Sequence, residues 1–444
     1  MFESVLVANR GEIASRVIHT VRAMGLKAIA VYSEADADLP FVAEADEAIL
    51  IGPAHPAGSY LDADRVLEAA RRTNAQAIHP GYGFLAESAE FAERVTDQGL
   101  VWIGPPPLAI ARMGDKINAR NLMIEAGVPV AAGVWEPVPD AATALAEAER
   151  IGYPVMVKAA GGGGGIGMGA ARDEAELVKV YASARSSAER FFRNPDILLE
   201  RYVERARHVE VQILGLADGT VVALGERDCS VQRRHQKIVE ETPSPGVDAA
   251  LRARMTQAAV RAGEAVGYRG AGTVEFLLDV DSGEFVFLEM NTRLQVEHPI
   301  TELVTGIDLV EQQLLIAAGE QVTFTSTEAR GHAVEFRVCA EDPLRFLPSP
   351  GDIKIWQEPV GEGIRIDAGY AEGNTVTPFY DSLLAKLCVH AADRPSALRR
   401  AAQAVGAFQI EGPKTNLPFF IELLGEEEFV AGTYDTGLVA RMRR

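Results

Sequence analysis

Apolar and polar positions along this chain follow two periods in turn. Short apolar runs at Ser4 to Ala8, Lys27 to Tyr32, Glu47 to Ile51, Gln76 to His79 and Val101 to Ile103 predict strands. Between them, Glu12 to Met24, Asp62 to Arg72 and Ser88 to Gln98 carry the longer period of amphipathic helices. Strand and helix in alternation predict a parallel α/β unit. Its first turn, Asn9-Arg10-Gly11-Glu12, lacks the glycine spacing by which a pyrophosphate approaches a helix N-terminus, so NAD and FAD are not expected there. The loop His79 to Phe84 follows a strand, where open α/β sheets place ligands, although its glycines suit a plain turn equally well.

After Pro105-Pro-Pro107 the pattern changes. Helix is predicted over Ala109 to Ala126 with a break at Gly114, then a strand over Tyr153 to Lys158 and a helix over Asp173 to Phe192. Strands follow at Ile197 to Val203, His208 to Leu214 and Val221 to Gly225, with antiparallel character. Between strand and helix lies Gly161 to Gly165, then Ile166-Gly-Met168-Gly169. So many glycines cost chain entropy. The return is a loop whose bare backbone N–H groups can fold over phosphates. No Gly-Lys-Ser/Thr follows, so it is not a Walker loop. The run Glu226 to Lys237 is a basic cluster suited to a polyphosphate or small anion.

Helix is predicted over Ala249 to Val266 and over Glu302 to Ala318, and the chemistry concentrates between them. Two strand-like runs, Gly272 to Val280 and Glu284 to Leu288, are separated by Asp281-Ser-Gly283, a three-residue hairpin signal. If Val280 faces Glu284, counting back sets Glu275 opposite Glu289. Opposed carboxylates repel unless a cation lies between them, and Mg²⁺ suits oxygen donors that leave room for substrate phosphates. Alternation along an extended chain puts Glu289, Asn291, Arg293, Gln295 and Glu297 on one side. In that order Glu289 and Asn291 hold metal, Arg293 and Gln295 hold an oxyanion, and Glu297 takes a proton from it.

Composition narrows the partners. A length of 444 residues suggests two to four domains, and 48% hydrophobic with 24% charged residues is ordinary for a globular protein. A formal charge of −20 argues against nucleic acid or an anionic membrane as main partner. Met1-Phe-Glu-Ser lacks the basic start of a signal peptide, and no apolar run reaches membrane-spanning length. Cys229, Cys339 and Cys388 are odd in number and far apart, which fits a reducing, cytoplasmic setting better than a disulfide framework.

The ordered set AIHPGYGFL, MGDK, YPVMVKAAGGGGG, ERDCSVQRRHQK, YRGAGTVEF, EMNTRLQVEHPITE, HAVEFRVCAEDP and FLPSPG resembles the biotin carboxylases of the ATP-grasp superfamily, from the first strand to about Asn416. The resemblance implies a Rossmann-like parallel α/β domain over 1–113, an ATP-grasp domain with antiparallel sheet over 114–330 whose glycine-rich lid covers about 131–203, and a C-terminal domain over 331–444. It implies ATP contacts at Lys116, Lys158, Gly164, Gly165, Met168, Glu200, Arg201, Val203, His208, Gln232, His235 and Leu277. The same resemblance gives divalent-metal ligands (Mg²⁺ or Mn²⁺) at Glu275, Glu289 and Asn291, and a bicarbonate site at Lys237, Arg293, Gln295, Val296 and Glu297. Biotin contacts are implied at Tyr82 and Arg337, with Arg293, Glu297, Arg337 and Lys237 catalytic. The implied reaction is ATP-dependent carboxylation of carrier-bound biotin through carboxyphosphate, the first half-reaction of an acyl-CoA carboxylase.

The chain carries no Met-Lys-Met biotinylation signal, so biotin is expected on a biotin carboxyl carrier protein; further expectations are a homodimer and a separate carboxyltransferase. Another ATP-grasp ligase joining a carboxylate to an amine, or a nucleotide-binding regulator without turnover, remains open at this stage. Two departures stand out. The family commonly has basic residues where Ile166 and Gly169 stand, and Lys where Arg201 stands. Loss of charge at 166 is expected to weaken the lid's hold on triphosphate. Replacing Ile166 by Arg should therefore lower the Michaelis constant for ATP in steady-state kinetics, and an unchanged constant would count against that role.

Overall fold

The structure is a computed structural model that describes residues 1–134, 136–160, 167–192 and 194–443. Five parallel strands, β1 (Ser4–Val7), β2 (Lys27–Ser33), β3 (Glu47–Gly52), β4 (Ala77–His79) and β5 (Val101–Trp102), stack in the order β3-β2-β1-β4-β5. Their apolar runs are buried between helices Gly11–Ala23, Ala63–Thr73 and Ala89–Asp97, as the alternating periods predict. Asp62 and Ser88 cap the second and third of these by accepting from backbone N–H groups three residues on.

The first βα turn is filled from within the protein. Arg10 pairs with Asp36 at 2.7 Å and donates to the Tyr370 hydroxyl, while Glu12 receives Lys386 at 2.8 Å. Gly369 lies so close that a Cβ there would sit 2.5 Å from the Glu12 backbone nitrogen. A pyrophosphate therefore has no access to this helix N-terminus, the physical counterpart of its missing glycine spacing.

The helix predicted over Ala109 to Ala126 breaks at Gly114 as expected, into Pro107–Gly114 and Lys116–Glu125, with Asp115 capping the second. Beyond it, β6 (Val155–Ala159), β7 (Met168–Ala171) and β8 (Ile197–Arg201) form a small sheet in the order β7-β6-β8. Helices Ala141–Ile151 and Glu174–Phe192 pack on it through Ala144, Ala148, Leu177 and Tyr181. The glycine run that includes Gly164 and Gly165, and Ile166 with it, lies outside the described residues. Gly169 has its own explanation. A Cβ there would meet the Val180 side chain at 2.6 Å, so a basic residue at 169 requires Val180 to move.

One large antiparallel sheet follows, with two two-stranded sheets beside it. Strands β9 (Ala206–Gly215), β10 (Val221–Arg233), β11 (Gln236–Thr242), β12 (Gly270–Asp279), β13 (Phe285–Asn291) and β14 (His332–Cys339) join Leu383–Ala391 and Ile364–Ala368 in eight strands. The order begins β13-β12-β9-β10-β11-β14, so the sheet runs without interruption across position 330. The basic run read as a cluster is the β10–β11 hairpin, with Arg234 and His235 in left-handed backbone at its tip. The helix predicted over Glu302 to Ala318 is also two, His298–Thr305 and Leu309–Ala317, because Gly306 adopts φ +73° and Asp308 starts a new cap.

The β12–β13 hairpin corrects the register count in an instructive way. Its turn is one residue longer than the spacing predicts: Asp279, not Val280, bonds to Glu284, and Leu278 pairs Phe285. Continued unbroken, that register would place Glu289 on the face of Phe285 and Phe287, in the apolar core. A β-bulge at Leu288 supplies the missing step. Glu275 pairs Glu289 after all, Thr273 pairs Asn291, and Val274, Phe276, Phe287 and Met290 stay on the buried face against helix Ala249–Ala265.

Candidate active site

On the face opposite that core, β9, β12 and β13 present His208, Glu210, Leu277, Glu275, Glu289 and Asn291 in matched register. Lys237, near the start of β11, reaches across to the same spot. Its Nζ lies 2.6 Å from Glu210 Oε2, 2.7 Å from Glu275 Oε1 and 2.7 Å from Glu297 Oε1. Burial opposes the charge on Lys237, but Glu210, Glu275 and Glu297 outweigh it and hold its pKa well above the ordinary lysine value. Glu297 mirrors this. Burial pushes its carboxyl up, while Lys237, Arg337 and Arg227 pull harder and leave it far below the usual carboxylate range. Arg337 on β14 supplies the second cation, with Nη2 2.9 Å from Glu297 Oε2 and 2.6 Å from Glu240 Oε1.

Beneath these groups Arg227, fully buried on β10, ties the floor together. It donates to Glu210 at 2.6 Å, Gln212 at 2.7 Å, Thr301 at 2.9 Å, Gln295 at 3.0 Å and Thr273 at 3.2 Å. Gln295 in turn donates to Glu275 at 2.9 Å, as Asn291 does at 2.8 Å. Arg293 donates to Asn291 Oδ1 at 3.0 Å and pairs at 3.1 Å with Glu87 of the N-terminal unit.

The expected extended strand through Glu297 is not what gathers these side chains. β13 ends at Asn291, and residues 292–297 bend and turn into helix His298–Thr305. Convergence comes from that bend, with Lys386 anchoring it by donating to the Val296 carbonyl at 3.1 Å.

Toward the small sheet the groups suit a nucleotide. Lys158, next to last in β6, forms an ion pair with Glu200 on β8. Burial lowers the Lys116 pKa, with Glu289 pulling it up and Lys158 pushing it down, so this lysine lies electrically between the two carboxylate sites. Burial and the charge of Glu275 raise Glu289, which is exposed to the cleft. His208 Nε2 sits 3.0 Å from Glu275 Oε2, and its Nδ1 meets Gln232 Nε2 at 2.8 Å. Leu277 lies beside His208 across β9, and Met168 pairs Lys158. Val203 is half-buried just past β8. Three residues stand apart from the interlocked group. His235 is exposed at its hairpin tip, Arg201 turns outward to the Gly152 carbonyl at 3.1 Å, and Tyr82 bonds Glu12.

Comparison with known proteins places this geometry. Residues 1–110 match the family "Biotin carboxylase, N-terminal domain", 335–441 "Biotin carboxylase C-terminal domain", and 115–325 "Carbamoyl-phosphate synthase L chain, ATP binding domain". The chain is 50% identical over 438 residues to "Biotin carboxylase 2" of Bacillus subtilis, covering 98% of each. The solved biotin carboxylase domain of the Hydrogenobacter thermophilus 2-oxoglutarate carboxylase, a dimer with MgADP and bicarbonate, superposes with TM-score 0.95 at 43% identity over 99% and 98% of the chains. The solved Rhizobium etli pyruvate carboxylase superposes with TM-score 0.92 at 41% identity, over 99% of this chain and 40% of that longer one. The chain belongs to the biotin carboxylase family.

As a biotin carboxylase and ATP-grasp ligase, the chain has oxygen donors where a divalent cation is expected. Glu275, Glu289 and the Asn291 amide form a hard-donor set fit for Mg²⁺ or Mn²⁺, and the raised Glu289 carboxyl is the strain such an ion relieves. The tighter cluster of His208, Glu210 and Glu275, with ligand atoms within 4.8 Å, already has the Lys237 ammonium between its two carboxylates.

Sequence reasoning missed Glu210, Arg227, Glu240 and Glu87. Alternation from His208 reaches Glu210 on the His208 face, so one signal was available. Arg227 lay in the run Glu226 to Lys237 read as a basic cluster, with no signal that it is buried within β10. Arg227→Met should destabilise the protein by about 3–5 kcal/mol in denaturant melts, because Glu210 keeps only Lys237 as a cation and the buried acceptors of Gln212, Thr273, Gln295 and Thr301 lose their donor. A change under about 1 kcal/mol would overturn its role as the floor's strut.

Proposed function

We propose that this chain carboxylates biotin held on a separate carrier protein, using ATP and bicarbonate, and that the clustered residues carry the roles that follow. One observation supports this above all: the Glu297 carboxylate is gripped by Lys237 and Arg337, and Lys237 also joins it to Glu275 of the opposed pair Glu275–Glu289. Lys116, Lys158, Glu200, His208, Gln232 and Leu277 bind the nucleotide. Glu275, Glu289 and Asn291 hold the divalent cation, which when bound offsets triphosphate charge. Gly164, Gly165 and Met168 belong to the lid, with Arg201, Val203 and His235 at its margins.

Glu297 alone is a poor base, since the cations that hold it also depress its affinity for a proton. Substrate corrects this. A bicarbonate ion lodged on Arg293, Gln295 and the Val296 backbone competes for Lys237 and Arg337, so Glu297 loses part of its charge compensation and its pKa rises. Glu297 then takes the bicarbonate proton as the bicarbonate oxygen attacks the γ-phosphorus and the bond to ADP breaks. Carboxyphosphate splits to CO₂ and phosphate. That phosphate removes the ureido N–H proton of biotin, Arg337 stabilises the resulting enolate-like anion, and the nitrogen attacks CO₂. Closure over the site keeps water from carboxyphosphate.

The proposed division is 1–113, 114–330 with its lid, and 331–444. The carrier, a carboxyltransferase and a homodimer are the proposed partners. Support comes from the Rhizobium etli pyruvate carboxylase, of which this chain spans 40%, and from the dimeric Hydrogenobacter domain. Among the described residues no helix is long and apolar enough to cross a membrane.

The test is phosphate release from ATP, with bicarbonate, free biotin and purified carrier varied in turn. Release should require bicarbonate and rise with biotin. Arg293→Ala and Glu297→Gln should each lower it by about 10²–10⁴-fold with unchanged far-ultraviolet circular dichroism. Dependence on an amine in place of bicarbonate, or a fully active Glu297 variant, overturns the assignment.

A further inference from the structure

Strands β11 and β14 set Glu240 directly across from Glu335, and both side chains are fully buried. Two carboxylates so placed cannot both ionise cheaply. The cation that reaches them is shared: Arg337 Nη2 lies 2.6 Å from Glu240 Oε1 and also serves Glu297 at 2.9 Å. On the far side the Cys388 thiol donates to Glu335 Oε2 at 3.4 Å, while Glu335 Oε1 and Arg337 Nε are buried without a hydrogen-bond partner.

The other groups facing the pair are already committed. Lys237 of β11 is held by Glu210, Glu275 and Glu297, and Lys386 of the neighbouring strand by Glu12 and Asp367. Burial keeps the thiols of Cys229 and Cys388 protonated and His298 neutral. Carboxylates therefore outnumber available cations here.

We propose that Glu240 and Glu335 hold one proton between them, and that this singly charged pair is a positioning element that lets Arg337 serve Glu297 and the substrate anion. Its functional half rests on the biotin-carboxylation reading above. With the proton present, one negative charge balances the guanidinium. Without it, a second charge draws Arg337 toward β11 and away from the reacting groups. Burial pushes the Glu240 carboxyl up to about 7, and burial with Glu240 raises Glu335. A carboxyl raised in the folded state keeps its proton where the unfolded chain has lost it. Its contribution to stability thus declines as pH climbs from about 4.3 to the folded value and is level above it.

The experiment uses the full chain and the variants Glu240→Gln, Glu335→Gln and the double variant. Infrared difference spectra between about pH 6 and about pH 8 should show a protonated-carboxyl band titrating in the wild type, displaced below that range in each single variant and absent from the double. The alkaline limb of kcat for biotin carboxylation should move up by about one pH unit or more in each single variant, with KM for bicarbonate within about twofold. A purely structural pair would change melting temperature and leave that limb in place. Unmoved band and limb in both single variants overturn the proposal. Should the variants fail to fold, a wild type without a titrating band in that range overturns it equally. Absence of bicarbonate-dependent turnover in the wild type would instead refute the functional reading and leave the infrared titration to judge the pair.

Discussion

The Lys237 ammonium, set among the carboxylates of Glu210, Glu275 and Glu297, is the contact on which the cleft depends. Each of those acids comes from a different part of the chain: β9, β12 and the bend before helix His298–Thr305. Without the lysine three nearly dry negative charges would face one another, and breaking even one buried pair costs about 3–5 kcal/mol. The cation therefore does more than neutralise. It fixes the distance between the strand that bears Glu275 and the bend that bears Glu297.

That arrangement is held from below and from the side. From β10, Arg227 spreads its donors over two further strands, β9 and β12, and over the bend and the helix that follow β13, so the floor cannot shift one strand at a time. Lys386 grips the Val296 carbonyl and Glu12 together, which ties the bend to the first helix of the N-terminal unit. Tyr82 contacts the same Glu12. The loop after β4 and the bend carrying Glu297 thus share one buried ion pair, an arrangement in which the two walls of the proposed biotin pocket move together.

The fold also explains a silence. Parallel α/β units offer a phosphate site at the first helix N-terminus. Here Arg10, Glu12 and Gly369 fill that place with internal contacts. The ligand-binding role passes to the second sheet, whose unbroken eight strands bring residues from 206 to 391 onto one surface.

Local signals sufficed for much of this. Apolar periods located the five parallel strands and most helices, and the polar run from Glu289 to Glu297 held residues that do meet in the cleft, although a bend after Asn291 and not alternation brings them there. The break at Gly114 was legible as a glycine, whereas the one at Gly306 escaped because a cap within a continuous apolar pattern reads as helix. The pairing of Glu275 with Glu289 was reached by a count whose turn was one residue short, and a bulge one residue long cancelled the difference. Alternation is a property of a single strand, so it could name the side chains that share a face. Which strand supplies the opposing charge is settled only when distant segments are brought to hydrogen-bonding distance, and for that reason Arg227, Glu240 and Glu87 emerged from tertiary structure alone, as did the partners of Glu210.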